Sequence, residues 1–294
     1  MILEQLINGL TLGSIYAIVA LGYTLVFGVL GIINMAHGEI FMFGAFMGVV
    51  ITHTLQLPLA LAFVVAIAVT ALLGLFLELL ALRPLRGKKG VSHLAPLIST
   101  IGVSIFLENL AHHFFGAGNR PFNTSFSEIS VQIGSVTIYA VQLVIFAIAV
   151  LLMVGLSFWL SKTKAGKALR ACAENLEAAS LLGVNTKKMI MMTVVIASAM
   201  GGIAGILVGM AFNSVTPQMG LTMGLKGLAI IILGGMGSVR GAMAGGLILG
   251  LSETMIVVFG ESGYRDAIAF IAIIVILLVR PQGLFGQAAP EARR

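Results

Sequence analysis

Long apolar stretches separated by short polar ones dominate this chain. Runs without Asp, Glu, Lys or Arg cover 5–38, 40–77, 129–161 and 189–225. An α-helix needs roughly 20 apolar residues to cross the hydrocarbon layer of a bilayer, and each run exceeds that length. The pattern therefore predicts a series of transmembrane helices.

The breaks between the apolar runs divide the chain into nine predicted spans. Two of them invite a different interpretation, because the fourteen residues of 224–237 are short and rich in glycine and the 39–54 segment barely reaches across a bilayer. Either one could be re-entrant, so we expect about eight to ten crossings. The predicted spans are 6–30, 39–54, 57–82, 94–115, 138–161, 189–213, 224–237, 241–259 and 264–280.

Composition supports an integral membrane protein. The chain is 59% hydrophobic and 10% charged, with a mean hydropathy of +1.09, which leaves too little polar surface for a soluble globule of its size. In lipid its 36 glycines let helices approach closely. We expect one all-α domain over 1–294, a polytopic transmembrane helical bundle with broken or re-entrant glycine-rich helices. The N-terminus lacks a basic region, so the first span is expected to be retained.

The basic residues lie mainly in three places, which predicts the orientation. They occupy the 83–93 and 162–188 loops and the C-terminus, whereas the opposite face receives Arg120, Lys226 and Arg265. Cytoplasmic loops are enriched in Lys and Arg, so both loops and the C-terminus are predicted in the cytoplasm and the N-terminus outside. The net charge of +6 is explained by this bias, and no nucleic-acid partner is expected.

The 162–188 loop is the only long charged segment, and it carries a helical pattern. Apolar residues recur there at helical spacing from Lys167 to Leu182, which predicts one short amphipathic helix. Gly183 offers a stop, and Asn185 or Thr186 a cap for the next helix. The recurring positions are Leu169, Cys172, Leu176, Ala179 and Leu182.

Part of this loop resembles the EAA loop, the permease segment that docks on the ATPase subunit of ABC importers. The resemblance lies in Glu177-Ala178-Ala179 followed by Gly183, although the Leu-Pro pair of that motif is absent. It implies an ATPase-coupling site, while an ordinary interfacial amphipathic helix is the alternative. The residues assigned to coupling are Arg170, Glu174, Asn175, Glu177, Ala178, Ala179 and Gly183.

Similarity over nearly the whole chain narrows the family. The runs 31–39 (GIINMAHGE), 170–175 (RACAEN) and 233–238 (LGGMGS) with Gly241 resemble the LivH-type permeases of branched-chain amino-acid importers. The resemblance implies a bacterial or archaeal inner-membrane protein working with an identical or homologous second permease, two cytoplasmic ATPases that bind ATP and Mg, and an external or periplasmic solute-binding protein. Related permeases carry urea, short amides or aromatic acids, so the cargo stays open.

Polar residues and glycines inside apolar segments are candidates for the transport pathway. Asn34, His37 and Glu39 cluster where the first span ends, and polar groups at membrane depth are costly unless they face a cavity or one another. An interfacial turn is the alternative for this cluster. Glycines that permit a helix break are the second set, namely Gly234, Gly235 and Gly237.

The sequence lacks motifs for nucleotide binding and for metal-dependent hydrolysis. There is no GxxxxGK[ST] phosphate loop and no HExxH, so no catalytic site, metal site or cofactor is expected in this chain. Cys172 is the single cysteine, which excludes an intrachain disulfide. Glu78 and Glu253 are expected to be paired or snorkelling. A gradient-driven transporter or channel, coupled through Glu39, Glu108 or Glu253, is the second hypothesis, and an intramembrane enzyme the third.

Overall fold

The computed structural model describes residues 2–86, 94–122, 129–133, 136–258 and 265–286. Helices account for most of them, with π-helical turns at Val50–Thr54 and Glu78–Leu82 and one antiparallel strand pair. The elements are α1 (Ile2–Leu30), α2 (His37–Val49), α3 (Leu59–Leu77), α4 (Ala95–Phe115), β1 (Ser130–Ile133), β2 (Val136–Tyr139), α5 (Ala140–Lys162), α6 (Lys164–Glu174), α7 (Leu176–Leu181), α8 (Thr186–Phe212), α9 (Met219–Gly234), α10 (Val239–Val258) and α11 (Arg265–Val279).

Four of the described helices are long and apolar enough to cross a membrane. They are α1, α3 with its following turns, α5 and α8. Helices α9 and α10 are long and apolar enough only as a pair, which is bent by 117° between them. This pair is a fifth candidate for a membrane span. The protein is therefore a polytopic transmembrane helical bundle with a glycine-rich broken pair, as predicted. The count of eight to ten spans stays a prediction, because α2, α4 and α11 do not meet the length and hydropathy test alone.

Helix α1 is the centre of the bundle. In an apolar stretch of 18 residues of α1, 89% of the residues are buried, against 28% in the corresponding stretch of α5. Helix α1 packs on α5, α8, α9 and α10. Close approach depends on small residues: a Cβ added to Gly13 would meet the Leu247 backbone of α10, and one added to Gly44 of α2 would meet the Gly202 backbone of α8. Such helix contacts gain van der Waals packing that larger side chains would prevent.

The two ends of the bundle differ in structure. One end carries the β1–β2 pair and an antiparallel bridge between Arg120 and Val215. The other carries α6, α7 and the 280–286 segment, whose Leu284 and Phe285 amides donate to the Leu233 and Gly234 carbonyls at 2.9 Å. This last contact covers the end of α9, where helix carbonyls otherwise lack partners.

Two predictions about local structure are wrong. The amphipathic segment is two helices, because Asn175 adopts an extended conformation (φ −159°, ψ 110°) between α6 and α7, and Leu182 is 84% exposed instead of buried. Lys226 is not a loop cation: α9 begins at Met219, seven residues earlier, and buries the lysine within the bundle.

Candidate functional site

Helix α6 is fixed to the end of α5. Thr163 caps it by accepting a hydrogen bond from the Gly166 amide at 3.0 Å, and a Cβ on Gly166 would meet the Trp159 and Leu160 backbone. Leu169 and Cys172 are buried on the inner face of α6. Burial raises the pKa of the Cys172 thiol. The amphipathic pattern therefore places α6 flat against the helices of the bundle.

Helix α7 is short and closed at both ends. The Asn175 side chain accepts from the Ala178 amide at 2.9 Å at its start. At its end the Gly183 and Val184 amides donate to the Ser180 and Ala179 carbonyls, a Schellman motif with Gly183 in the left-handed region at φ +84°. Asn185 then caps α8 through the Lys188 amide. Local hydrogen bonds thus set the direction of both helices.

The outward face of α6 and α7 carries most of the predicted coupling residues. Its most exposed apolar residues are Leu181 and Leu182, each 84% exposed. Ala179 is 2% exposed and packs inward, so it contributes to packing and not to this surface. We call the exposed set the α6–α7 face: Arg170, Glu174, Asn175, Glu177, Ala178, Leu181, Leu182 and Gly183.

A groove separates this face from the end of α3. It has a volume of about 880 Å³, and Glu177 and Ser180 of α7 line one wall. On the other wall one guanidinium nitrogen of Arg86, Nη2, donates to both oxygens of the buried Glu78 carboxylate, at 2.6 and 2.7 Å. Glu78 was expected to be paired or snorkelling, and it is paired. The pair joins the π-helical turn that follows α3 to Arg86.

The chain after α1 turns back into the bundle. The His37 ring lies against Gly22 of α1, where an added Cβ would meet it. Gly22 is eight residues, or roughly 12 Å, from the end of α1 at Leu30. The turn is held by the Asn34 carboxamide oxygen, which accepts from the Ala36 amide, and by Thr100 of α4, which accepts from the Met35 amide, both at 3.2 Å. His37 therefore lies beside α1 within the bundle and not at the end of that helix.

Asn34, His37 and Glu39 are brought together in this turn and the start of α2. They are 2%, 1% and 1% exposed. Tyr23 meets the His37 ring edge to face at 4.6 Å, and Ser104 of α4 donates to Glu39 Oε1 at 3.2 Å. The other carboxylate oxygen of Glu39 has no hydrogen-bond partner among the described residues. A buried carboxylate with so few partners is costly unless a polar pathway adjoins it.

A second buried carboxylate is paired with a buried cation. Lys226 of α9 lies 3.0 Å from Glu253 of α10, and the Tyr16 hydroxyl of α1 donates to Glu253 at 2.8 Å and accepts from Lys226 at 2.9 Å. The three residues join α1, α9 and α10. Glu253 was expected to be paired or snorkelling, and its partners were not identified from the sequence. The signal was present, since a lysine and a glutamate inside neighbouring apolar segments compensate each other's charge.

Gly234, Gly235 and Gly237 form the break between α9 and α10. Gly235 and Gly237 have positive φ values of 101° and 82°, and a Cβ on Gly234 would meet the Gly241 backbone. The break is thus a tight turn covered by the 280–286 segment. It lies at the α6–α7 end of the bundle, away from the Asn34, His37 and Glu39 cluster, so the structure does not bring these two predicted sets together.

A transmembrane helical bundle with a capped, outward-facing pair of short helices at one end is the architecture of a membrane permease. A family profile described as the permease component of the branched-chain amino acid transport system matches residues 5–277. The chain belongs to that family.

Curated relatives match it over nearly the full length. It is 40% identical to the high-affinity branched-chain amino acid transport system permease protein BraD of Pseudomonas aeruginosa, over 98% of this chain and 97% of the relative. It is 39% identical, with the same coverage, to the permease protein LivH of Escherichia coli. The resemblance found from the sequence is therefore confirmed.

A solved structure shares the fold. A chain of the structure described as PsaBC from Streptococcus pneumoniae in complex with Fab superimposes with a TM-score of 0.51. The match covers 94% of this chain and 91% of that chain at 11% identity. At that identity the likeness concerns the fold alone.

Proposed function

We propose that this chain is the membrane subunit of an ATP-driven importer that carries leucine, isoleucine, valine or related hydrophobic amino acids. Its relatives in Pseudomonas and Escherichia bear the names of high-affinity branched-chain amino acid permeases, and the family profile covers most of the chain. A second permease, identical or homologous, two ATPases that bind ATP and Mg, and an external solute-binding protein complete the transporter.

The observation that carries the coupling part of this proposal is the α6–α7 face. Leu181, the last residue of α7, and Leu182, directly after it, are each 84% exposed, so together they offer an adjacent apolar pair to a partner surface. Asn175, Gly183 and Asn185 fix the helix ends by local hydrogen bonds, so a force applied to α7 is transmitted to α8. The ATPases bind here and shift the bundle between its outward-open and inward-open states.

The orientation follows from the charges. The α6–α7 end is cytoplasmic and the β1–β2 end is external, with the protein in the inner membrane. With Lys226 withdrawn into the bundle, Arg120 is the basic residue of the described loops at the external end, which strengthens the positive-inside bias. The cations of the α6–α7 end are Arg83, Arg86, Lys162, Lys164, Lys167, Arg170, Lys187, Lys188, Arg240 and Arg280.

Solute passes through the bundle near the buried polar cluster and the glycine break. Glu39 and Asn34 offer carboxylate and amide atoms without partners among the described residues. Gly234, Gly235 and Gly237 allow the α9–α10 turn to change shape as the ends open and close. Solute arrives from the binding protein, so a tight site within the membrane is not required.

The test is uptake of radiolabelled leucine into proteoliposomes. The chain is reconstituted with its partner permease, ATPases and binding protein, with ATP enclosed or omitted. Uptake that needs both ATP and the ATPases supports the proposal. Uptake by the chain without ATPases, driven by a Na⁺ or proton gradient, would instead establish a secondary transporter.

A further inference from the structure

A cavity at the external end of the bundle is not used by the mechanism proposed above. It has a volume of about 510 Å³ and lies between α5 on one side and α1, α8 and α10 on the other. Small-molecule sites occupy roughly 300–1,000 Å³, so the cavity has the size of a binding site. Tyr139, 45% exposed, lies at its mouth.

The walls of this cavity are amphipathic, and the described residues that line it include no charged side chain. One part is apolar, with Leu12, Val141, Ile145, Met210 and Val257. Its remaining polar lining consists of amides and hydroxyls: Gln5, Asn8, Thr11, Gln142, Asn213 and Thr254. Amides supply donors and acceptors together, whereas a solute with net charge would find no counter-charge there.

Hydrogen bonds hold the polar wall in place. Gln142 of α5 accepts from the Tyr139 amide at 3.0 Å and donates to Asn8 of α1 at 2.6 Å. Asn213 adopts a left-handed conformation at φ 48°, and its side-chain oxygen accepts from the Phe122 amide at 2.8 Å. Both asparagines use their oxygen atoms as acceptors in these bonds. Such positioned groups lower the entropic cost of binding.

We infer that this cavity is an entry subsite for a small, net-neutral, amphipathic solute, namely a zwitterionic amino acid with an aliphatic side chain. The amides and hydroxyls bind the ammonium and carboxylate groups, and the apolar wall takes the side chain. The choice of ligand rests on the proposed function. The subsite adds a receiving position between the solute-binding protein and the pathway.

The test is leucine protection of a cysteine in the cavity. The full chain in lipid nanodiscs carries Gln5→Cys in a Cys172→Ala background, and its labelling by a maleimide is timed against added L-leucine. We expect leucine to slow the labelling, and leucinamide or 4-methylpentanoate, which lack one of the two charges, to require at least about tenfold higher concentrations. No slowing up to the solubility limit of leucine, or equal slowing by all three compounds, would overturn the subsite.

Three tryptophan variants localise the effect. Val141→Trp fills the cavity and is expected to raise the protecting leucine concentration at least about tenfold. Leu143→Trp lies two residues along α5, where the native leucine is 58% exposed, and is expected to leave protection unchanged. Ala211→Trp repeats the filling from α8 in case Val141→Trp unfolds. Unchanged protection in a folded, filled variant would reject the subsite.

The outcome is separable from that of the proposed function. ATP-driven leucine uptake is measured in parallel with the reconstituted wild-type transporter. ATP-driven leucine uptake without leucine protection of the cysteine would reject the entry subsite alone. Leucine protection without ATP-driven uptake would support the subsite and reject the proposed importer function.

Discussion

Two regions of this molecule differ in where they place their polar and apolar side chains. The α1–α9–α10 region joins buried helices through glycines and through a charge pair whose atoms lie 3.0 Å apart, while the α6–α7 face presents two leucines at 84% exposure. The first region pairs its buried charges with each other inside the bundle. The second caps its helices with the exposed Asn175 and Asn185 and leaves Leu181 and Leu182 on the surface. The α1–α9–α10 region is thus suited to hold the bundle together, and the α6–α7 face is suited to bind a partner.

Glu253→Gln should have the largest effect, because it breaks the buried charge pair between α9 and α10. The change leaves the buried Lys226 without its counter-charge, which typically costs about 3–5 kcal/mol. A large drop in the thermal unfolding midpoint of the chain in lipid-detergent micelles would reveal it.

The double variant Lys226→Met, Glu253→Gln is the control for that change. It removes both charges together, so we expect part of the stability to return. A single variant as stable as the wild type would show that the pair does not hold α9 and α10 to α1.

Gly183→Val should damage the binding region without unfolding the bundle. A β-branched residue at φ +84° costs about 1–3 kcal/mol locally, and nothing lies within 4 Å to spread the damage. We expect ATP hydrolysis stimulated by the solute-binding protein to fall together with leucine uptake, while solute capture by that protein stays normal.

Gly102→Val is the matched control in α4. Gly102 also has nothing within 4 Å but lacks the positive φ, so the same side chain should be tolerated there. Normal coupling in Gly183→Val would remove this turn from the mechanism.

Glu39→Gln should separate function from stability in the buried region. The amide oxygen can still accept from Ser104, and no salt bridge is lost, so the free energy of unfolding should change by less than about 1 kcal/mol. Uptake is expected to fall because the change removes a charge at the pathway. Glu108→Gln, on the half-buried face of α4, is the control. Equal uptake in both variants would place Glu39 outside the pathway.

The smallest effect concerns the thiol beneath the α6–α7 face. Burial raises the pKa of Cys172, so its reactive thiolate forms at a higher pH than that of a free cysteine. We expect slow maleimide labelling of the native chain at neutral pH, with the rate rising as the pH approaches the raised pKa. Rapid labelling at neutral pH would show that α6 is not packed on the bundle.

Hydropathy predicted most of the helices because the bilayer demands long apolar segments. The predicted 94–115 and 241–259 spans, for example, differ from α4 and α10 by at most two residues at each end. Lys226 was misplaced because a cation near the edge of an apolar run looks like a loop residue. Its partner lies 27 residues later on a facing helix, and local composition contains no information about that contact.

The break in the amphipathic segment was also missed for a physical reason. The apolar period continues from Cys172 to Leu176, so it conceals the boundary. The available signal was Asn175 followed by Glu177, an N-cap with an acidic residue in the first turn. The return of 31–37 into the bundle depends on the contacts of His37 with Gly22 and of Met35 with Thr100, which no local pattern encodes.

Photo-crosslinking from the α6–α7 face tests the central claim most directly, namely that an ATPase moves this bundle through that face. A photoreactive amino acid replaces Leu182 in the assembled transporter, and Leu278 of α11, 80% exposed, serves as the control position. The account predicts a crosslink to the ATPase from position 182 and none from position 278. An ATPase crosslink from 278 but not from 182 would contradict it.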